Sequence, residues 1–100
     1  MNSIDTTALN QLDGITLIDV REEHEYITGH APTAKNVPLS RFVDRVDEVP
    51  RDQTVYIICE SGGRSAQAVQ WLDGQGFDAV NVEGGTAAWR SAGLPIETGS

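Results

Sequence analysis

The densest chemistry in the chain lies in Cys59-Glu60-Ser61-Gly62-Gly63-Arg64-Ser65, a run that begins with its single cysteine. The cysteine closes the apolar stretch Val55-Tyr56-Ile57-Ile58, and the polar, glycine-rich run leads into residues with helical spacing. Two adjacent glycines let the backbone fold so tightly that successive N–H groups point to one spot. A helix starting just beyond adds the partial positive charge of its N-terminus. A thiol in such a cradle gives up its proton readily, because aligned dipoles favour the thiolate. Arg64 would supply a full positive charge and a planar fork of donors for an oxyanion. Cys59 therefore reads as a nucleophile, against the plainer possibility that a cysteine ending an apolar strand is only packing. Ser61 and Ser65 offer hydroxyls to line the cradle or cap the helix, and no strong base lies in the run to make either a nucleophile. Glu60 is the discordant residue. A carboxylate beside a thiolate raises the thiol pKa and repels an anionic substrate, unless it points into solvent.

The elements that must position this run alternate between strand and helix. Ile15 to Val20 is β-branched and apolar behind the turn pair Asp13-Gly14, which predicts a strand. Glu22 to Thr28 is acidic at its start and closes at Gly29, as a short helix does. Asn36-Val37 predicts a brief strand stopped by Pro38, and Ser40 is placed to cap a helix carrying Phe42, Val43 and Val46 and ending before Pro50. Thr54 to Cys59 is apolar on both faces, as in the middle of a parallel sheet. Ser65 to Asp73 carries Ala66, Val69 and Leu72 at helical spacing and is stopped by Gly74 and Gly76. Ala79 to Val82 predicts another strand, and Gly84-Gly85 leads into a last helix with Ala88 and Trp89. Asn2 to Leu12 has room for an edge strand and a short helix. Short connections between alternating elements call for an α/β fold with a mostly parallel sheet. In such sheets ligands gather at the carboxyl ends of the strands, where Cys59 falls.

Composition sets outer bounds. One hundred residues make one domain, taken as residues 1–96 with 97–100 as a flexible tail. With 39% apolar and 22% charged residues the chain is too apolar for general disorder. Fifteen acidic against seven basic residues, a net charge of −8, exclude nucleic-acid binding driven by bulk charge and argue against an anionic membrane surface. The N-terminus shows no secretory pattern, so a cytoplasmic location is expected. One cysteine forms no internal disulfide.

Three blocks of sequence resemble the rhodanese family of sulfurtransferases, in its single-domain, thiosulfate-sulfurtransferase-like form. The first is Leu17-Ile18-Asp19-Val20-Arg21-Glu22, continuing through Glu25-Tyr26 to Gly29-His30-Ala31-Pro32, Ala34 and Asn36-Val37-Pro38. The second is the cysteine run ending in Gly63-Arg64-Ser65, and the third spans Val82-Glu83-Gly84-Gly85 through Ala88-Trp89 to Ala92-Gly93-Leu94-Pro95. The resemblance implies a three-layer rhodanese fold with a five-stranded, mostly parallel sheet flanked by helices. It also implies a Cys59 persulfide, formed from a sulfane-sulfur donor such as thiosulfate or a persulfide and discharged to a thiol or cyanide, with no metal or organic cofactor. Glu60, Ser61, Gly62, Gly63, Arg64 and Ser65 would bind the substrate, with Asp19 and Arg21 in support. The partners expected are small molecules, or a protein persulfide, acting on a monomer. Four residues separate Cys59 from Arg64, one fewer than in related thiol phosphatases and arsenate reductases, so the cradle suits a sulfur atom better than a tetrahedral oxyanion. A non-catalytic docking or regulatory module is the other alternative, usually marked by loss of the cysteine.

The remaining polar residues have structural readings. Asp19 is expected to tie down backbone N–H groups, Arg21 to form an ion pair with Glu25, and His30 to fix a turn. His24 is expected in solvent, and two histidines six apart with one distant cysteine match no usual zinc spacing. Trp71 and Trp89 read as core or half-buried surface. Ala31 and Thr33 depart from the family's Gly-His-Ile-Pro-Gly run and are expected to alter packing beneath that turn. Glu60 and the acidic field together predict that thiosulfate is a poorer donor than a persulfide.

Overall fold

Strands linked through helices pair in parallel, since each crossover returns the chain to the same edge of the sheet. The computed structural model describes residues 1–100 and contains five such strands: β1 (Asn2–Ile4), β2 (Thr16–Asp19), β3 (Lys35–Asn36), β4 (Val55–Ile58) and β5 (Ala79–Val82). They lie in the order β1-β5-β4-β2-β3, every pair parallel. The helices are α1 (Thr6–Asn10), α2 (Glu23–Tyr26), α3 (Gly63–Gly74) and α4 (Gly85–Ser91). The strand and helix expected in the first twelve residues are therefore β1 and α1. No helix is long and apolar enough to cross a membrane.

Period-two alternation divides the core between the two faces of the sheet. Ile18, Val20, Val55, Ile57, Cys59 and Ala79 pack with Ala68, Val69 and Leu72 of α3 and with Phe42 and Val49. Leu17, Ile58 and Val82 face the other way, onto Leu9 of α1, Tyr26 of α2 and Trp89 of α4. β4 is central and covered on both sides, which is why its sequence shows no polar alternation. Burying an isoleucine or valine side chain stabilises by roughly 1.5–3 kcal/mol, so this strand is among the firmest anchors available to the loop that follows it.

Three expectations are corrected. The segment after Pro38 is not a capped helix. It makes two 3-10 turns, Leu39–Arg41 and Val46–Glu48, and Val43 is 61% exposed while Phe42 is buried. Val43, Asp44, Val46 and Asp47 are weak helix formers, and the Leu39 N–H is already given to Val20 O in the sheet. Ser40 Oγ donates to Glu22 instead of capping anything. The last residues are fastened: Glu97 and His30 exchange both backbone hydrogen bonds and Gly99 N–H donates to Ile27 O. Finally, Ala31 does pack in the second core cluster, but Thr33 is exposed. Its departure is one of backbone, since φ is +68°, a left-handed conformation costly for a β-branched residue.

Candidate active site

β4 delivers Cys59 to the carboxyl edge of the sheet, and the chain then reverses into α3. The carbonyls of the reversal are turned outward by the first turn of α4. Thr86 N–H and Thr86 Oγ1 donate to Cys59 O at 2.8 and 3.0 Å, and Ala87 N–H donates to Glu60 O at 2.9 Å. With these oxygens held away, the N–H groups face inward. Gly62, at φ +109°, donates its N–H to Cys59 Sγ at 3.1 Å, and Ser65 Oγ lies 3.3 Å from the same sulfur. Cys59 is 1% exposed. Burial pushes the thiol pKa up, but the Ser65 hydroxyl and the N–H groups of Ser65, Gly62 and Ser61 outweigh it and hold the thiol below its ordinary value. The sulfur is thus shut from bulk water but ringed by donors.

Ser61 and Gly63 are exposed and form the rim of the loop. Arg64 does not point its fork into the cradle as the sequence suggests. Its guanidinium is clamped by both oxygens of Glu25, at 2.7 and 2.9 Å, and this holds the Glu25 carboxyl at about 2. Glu25 is therefore not available for the ion pair expected with Arg21. Instead Arg21, 1% exposed, pairs with Asp19 at 3.0 Å and with Glu60 at 3.3 Å, and donates to Gly29 O at 2.7 Å. Only the backbone carbonyl of Glu25 reaches it, at 3.4 Å. Asp19 also accepts the Arg21 N–H, the backbone tie expected of it. Glu60 neither faces the sulfur nor hangs in solvent. Its carboxylate bridges Arg21 and Arg90, the latter at 3.3 Å.

Two residues of the site escape the sequence reading. Arg90 carries no local signal, since an arginine on a surface helix is ordinary. Asn81 does carry one: a polar residue amid Ala79, Val80 and Val82, which in a buried strand demands a partner. Its amide oxygen takes the Ser65 hydroxyl at 2.5 Å. The histidines stand apart, His24 exposed and His30 stacked on Tyr26 with its Nδ1 2.8 Å from Tyr26 O. A concavity of about 190 Å³ lined mainly by Leu9, Leu12, Ile15, Leu17 and Trp89, with Asp13 and Thr33 among its polar lining, does not include Cys59. The arrangement around Cys59 can stabilise a sulfur anion.

The chain matches the family described as "Rhodanese-like domain" over residues 5–92. It is 39% identical to a protein named "Sulfurtransferase" from Allochromatium vinosum, over 96% of this chain and 94% of that one. It is 38% identical to "Thiosulfate sulfurtransferase GlpE" from Actinobacillus pleuropneumoniae, over 86% of this chain and 81% of the relative. Among solved structures, a rhodanese-related protein from Thermoplasma volcanium superimposes with a TM-score of 0.94 at 34% identity, covering 99% of this chain and all of that one.

Proposed function

The chain belongs to the rhodanese-like family, and from that premise we propose that it is a sulfurtransferase that carries a sulfane sulfur as a persulfide on Cys59. The thiolate attacks the outer sulfur of a donor, a new S–S bond forms, and the donor's own S–S bond breaks with its electron pair leaving on the departing sulfite or thiolate. An acceptor thiolate or cyanide then attacks the outer sulfur and returns the pair to Cys59. No electron is gained or lost overall. The observation that carries this reading is the donor ring on Cys59 Sγ, with the Gly62 N–H at 3.1 Å, because the same N–H groups serve the anionic sulfur before and after transfer.

The donor favoured is a persulfide over thiosulfate. Every guanidinium around the loop is already matched by a carboxylate: Arg21 by Asp19 and Glu60, Arg64 by Glu25, Arg90 by Glu60. A dianion finds no uncommitted cation there, within a chain of net charge −8. The acceptor is a small thiol, cyanide or a protein thiol, and one copy of the chain supplies all the residues invoked.

Intact-mass measurement after incubation with thiosulfate or with glutathione persulfide tests this. The expected result is a gain of one sulfur atom that cyanide removes and that Cys59→Ser abolishes. No gain from either donor would overturn it, in favour of a phosphatase if a phenyl phosphate ester is hydrolysed, or of a docking module if nothing reacts.

A further inference from the structure

We propose that Asn81 is a positioning residue for Cys59, its side-chain amide deciding whether the Ser65 hydroxyl donates to the sulfur or accepts from it. The proposal rests on the reading of Cys59 as the nucleophile. Ser65 is fully buried and has one proton to give. Three acceptors surround its oxygen: Asn81 Oδ1 at 2.5 Å, Gly62 O at 3.2 Å and Cys59 Sγ at 3.3 Å. The shortest contact takes the proton, which leaves a Ser65 lone pair facing the sulfur. That arrangement suits a thiol, whose S–H can donate to Ser65.

A thiolate needs the opposite. If the Ser65 hydroxyl swings to the sulfur while Asn81 stays, two oxygens stand 2.5 Å apart with no proton between them. A half-turn of the Asn81 amide removes the conflict. Its NH2 then donates to Ser65, and Ser65 donates to the sulfur. The half-turn gives up the long Asn81 Nδ2–H to Gly62 O contact, at 3.4 Å, and leaves the amide oxygen facing Gly62 O at that long range, while Gly62 O keeps the Ala66 N–H at 3.1 Å. Asparagine offers a donor and an acceptor on one flat group, which neither aspartate nor leucine of similar shape can do.

The charged groups near Cys59 on the elements around it are otherwise engaged, and Asp73 stands at the far end of α3. Asp19, Arg21, Glu60 and Arg90 form one chain of ion pairs, Arg64 is held by Glu25, and Glu83 accepts from Ser3. The amide's turn disturbs none of them.

The test is the pH dependence of Cys59 alkylation by iodoacetamide, which one cysteine makes unambiguous. Asn81→Asp accepts only, so it should hold the Ser65 proton away from the sulfur and raise the midpoint by about one pH unit. Asn81→Leu frees Ser65 to donate, so its midpoint should stay at or below that of the parent. A merely structural role would loosen the cradle in both variants and raise both. Ser65→Ala separates charge from hydrogen bonding: in that background Asn81→Asp should move the midpoint by less than half as much. Equal shifts in the two backgrounds, no shift in Asn81→Asp, or a rise in Asn81→Leu matching that of Asn81→Asp would each overturn the proposal. Should Asn81→Leu not fold, the comparison of Asn81→Asp with and without Ser65→Ala decides the matter. Alkylation reads proton loss and intact mass reads sulfur gain, so this proposal and the sulfur-transfer reading can fail separately.

Discussion

Gly85→Ala should unravel the support of the Cys59 loop. A Cβ at this position would stand 2.5 Å from Cys59 O, 2.6 Å from Glu60 O and 2.7 Å from Glu60 C. All three are backbone atoms, so no rotamer change relieves them and α4 must retreat from the loop. Retreat lengthens the bonds from Thr86 N–H, Thr86 Oγ1 and Ala87 N–H, each worth about 1 kcal/mol. The φ of +58° adds about 1 kcal/mol for any residue with a Cβ. The total, about 4 kcal/mol, is a large part of a small domain's stability and corresponds to a fall in Tm of about 20 °C. Gly63→Ala is the control. Gly63 begins α3, has no positive φ and meets nothing within 4 Å, so alanine there should be neutral or stabilise by about 0.5 kcal/mol. Differential scanning calorimetry and urea titration measure both. The loop carbonyls of Gly85→Ala would also be released to turn inward, so Cys59 alkylation below the Tm should shift to higher pH. A Gly85→Ala protein melting within about 5 °C of its parent would refute the argument that α4 braces the cradle.

Further outcomes follow from the charges and the strained turn. Glu60→Gln leaves one more positive charge beside the loop. At about one Debye length, ~8 Å, and an effective dielectric of ~40, a dianion then gains about 2 kcal/mol before screening and under 1 kcal/mol after it. The kcat/KM for thiosulfate should rise about threefold while that for a persulfide of zero net charge, such as cysteamine persulfide, stays put, and an unchanged or lower thiosulfate value would remove the donor argument. Glu25, held at about 2 against 4.5 when unfolded, contributes stability that is complete above pH 4.5 and fades as pH falls toward 2. Its partner Arg64 is 35% exposed, so screening limits the contribution to about 1 kcal/mol. Urea titrations should therefore show Glu25→Gln less stable than the parent at pH 7 and the gap closing at pH 3; a constant gap would contradict the assignment. Thr33→Gly relieves about 1–2 kcal/mol of left-handed strain and loses up to about 1 kcal/mol to the freer unfolded chain. A net gain of about 0.5 kcal/mol should appear as a Tm a few degrees higher, and a lower Tm would show that Thr33 is not strained.

What the amino-acid sequence determined by itself was local. Apolar alternation and β-branching marked β2, β4 and β5, while glycine and proline marked the ends of elements, because backbone sterics and side-chain period act over a few residues. The Cys59 loop was legible for the same reason: a strand end, two glycines and a helix start lie within seven residues. The partners of the charged side chains were not. Arg64 and Glu25 are 39 residues apart, as are Arg21 and Glu60, and Arg90 is 30 residues from Glu60. Arg21 had Glu25 four residues away, yet the fold gave that carboxylate to Arg64. Likewise Asn81 meets Ser65 only because β5 lies beside β4 in the sheet and α3 packs over both. Coulomb attraction and hydrogen bonding are indifferent to distance along the chain. Which donor meets which acceptor was settled only when the sheet brought its carboxyl edge together, and that choice left Cys59 with neutral donors and every arginine around it already matched.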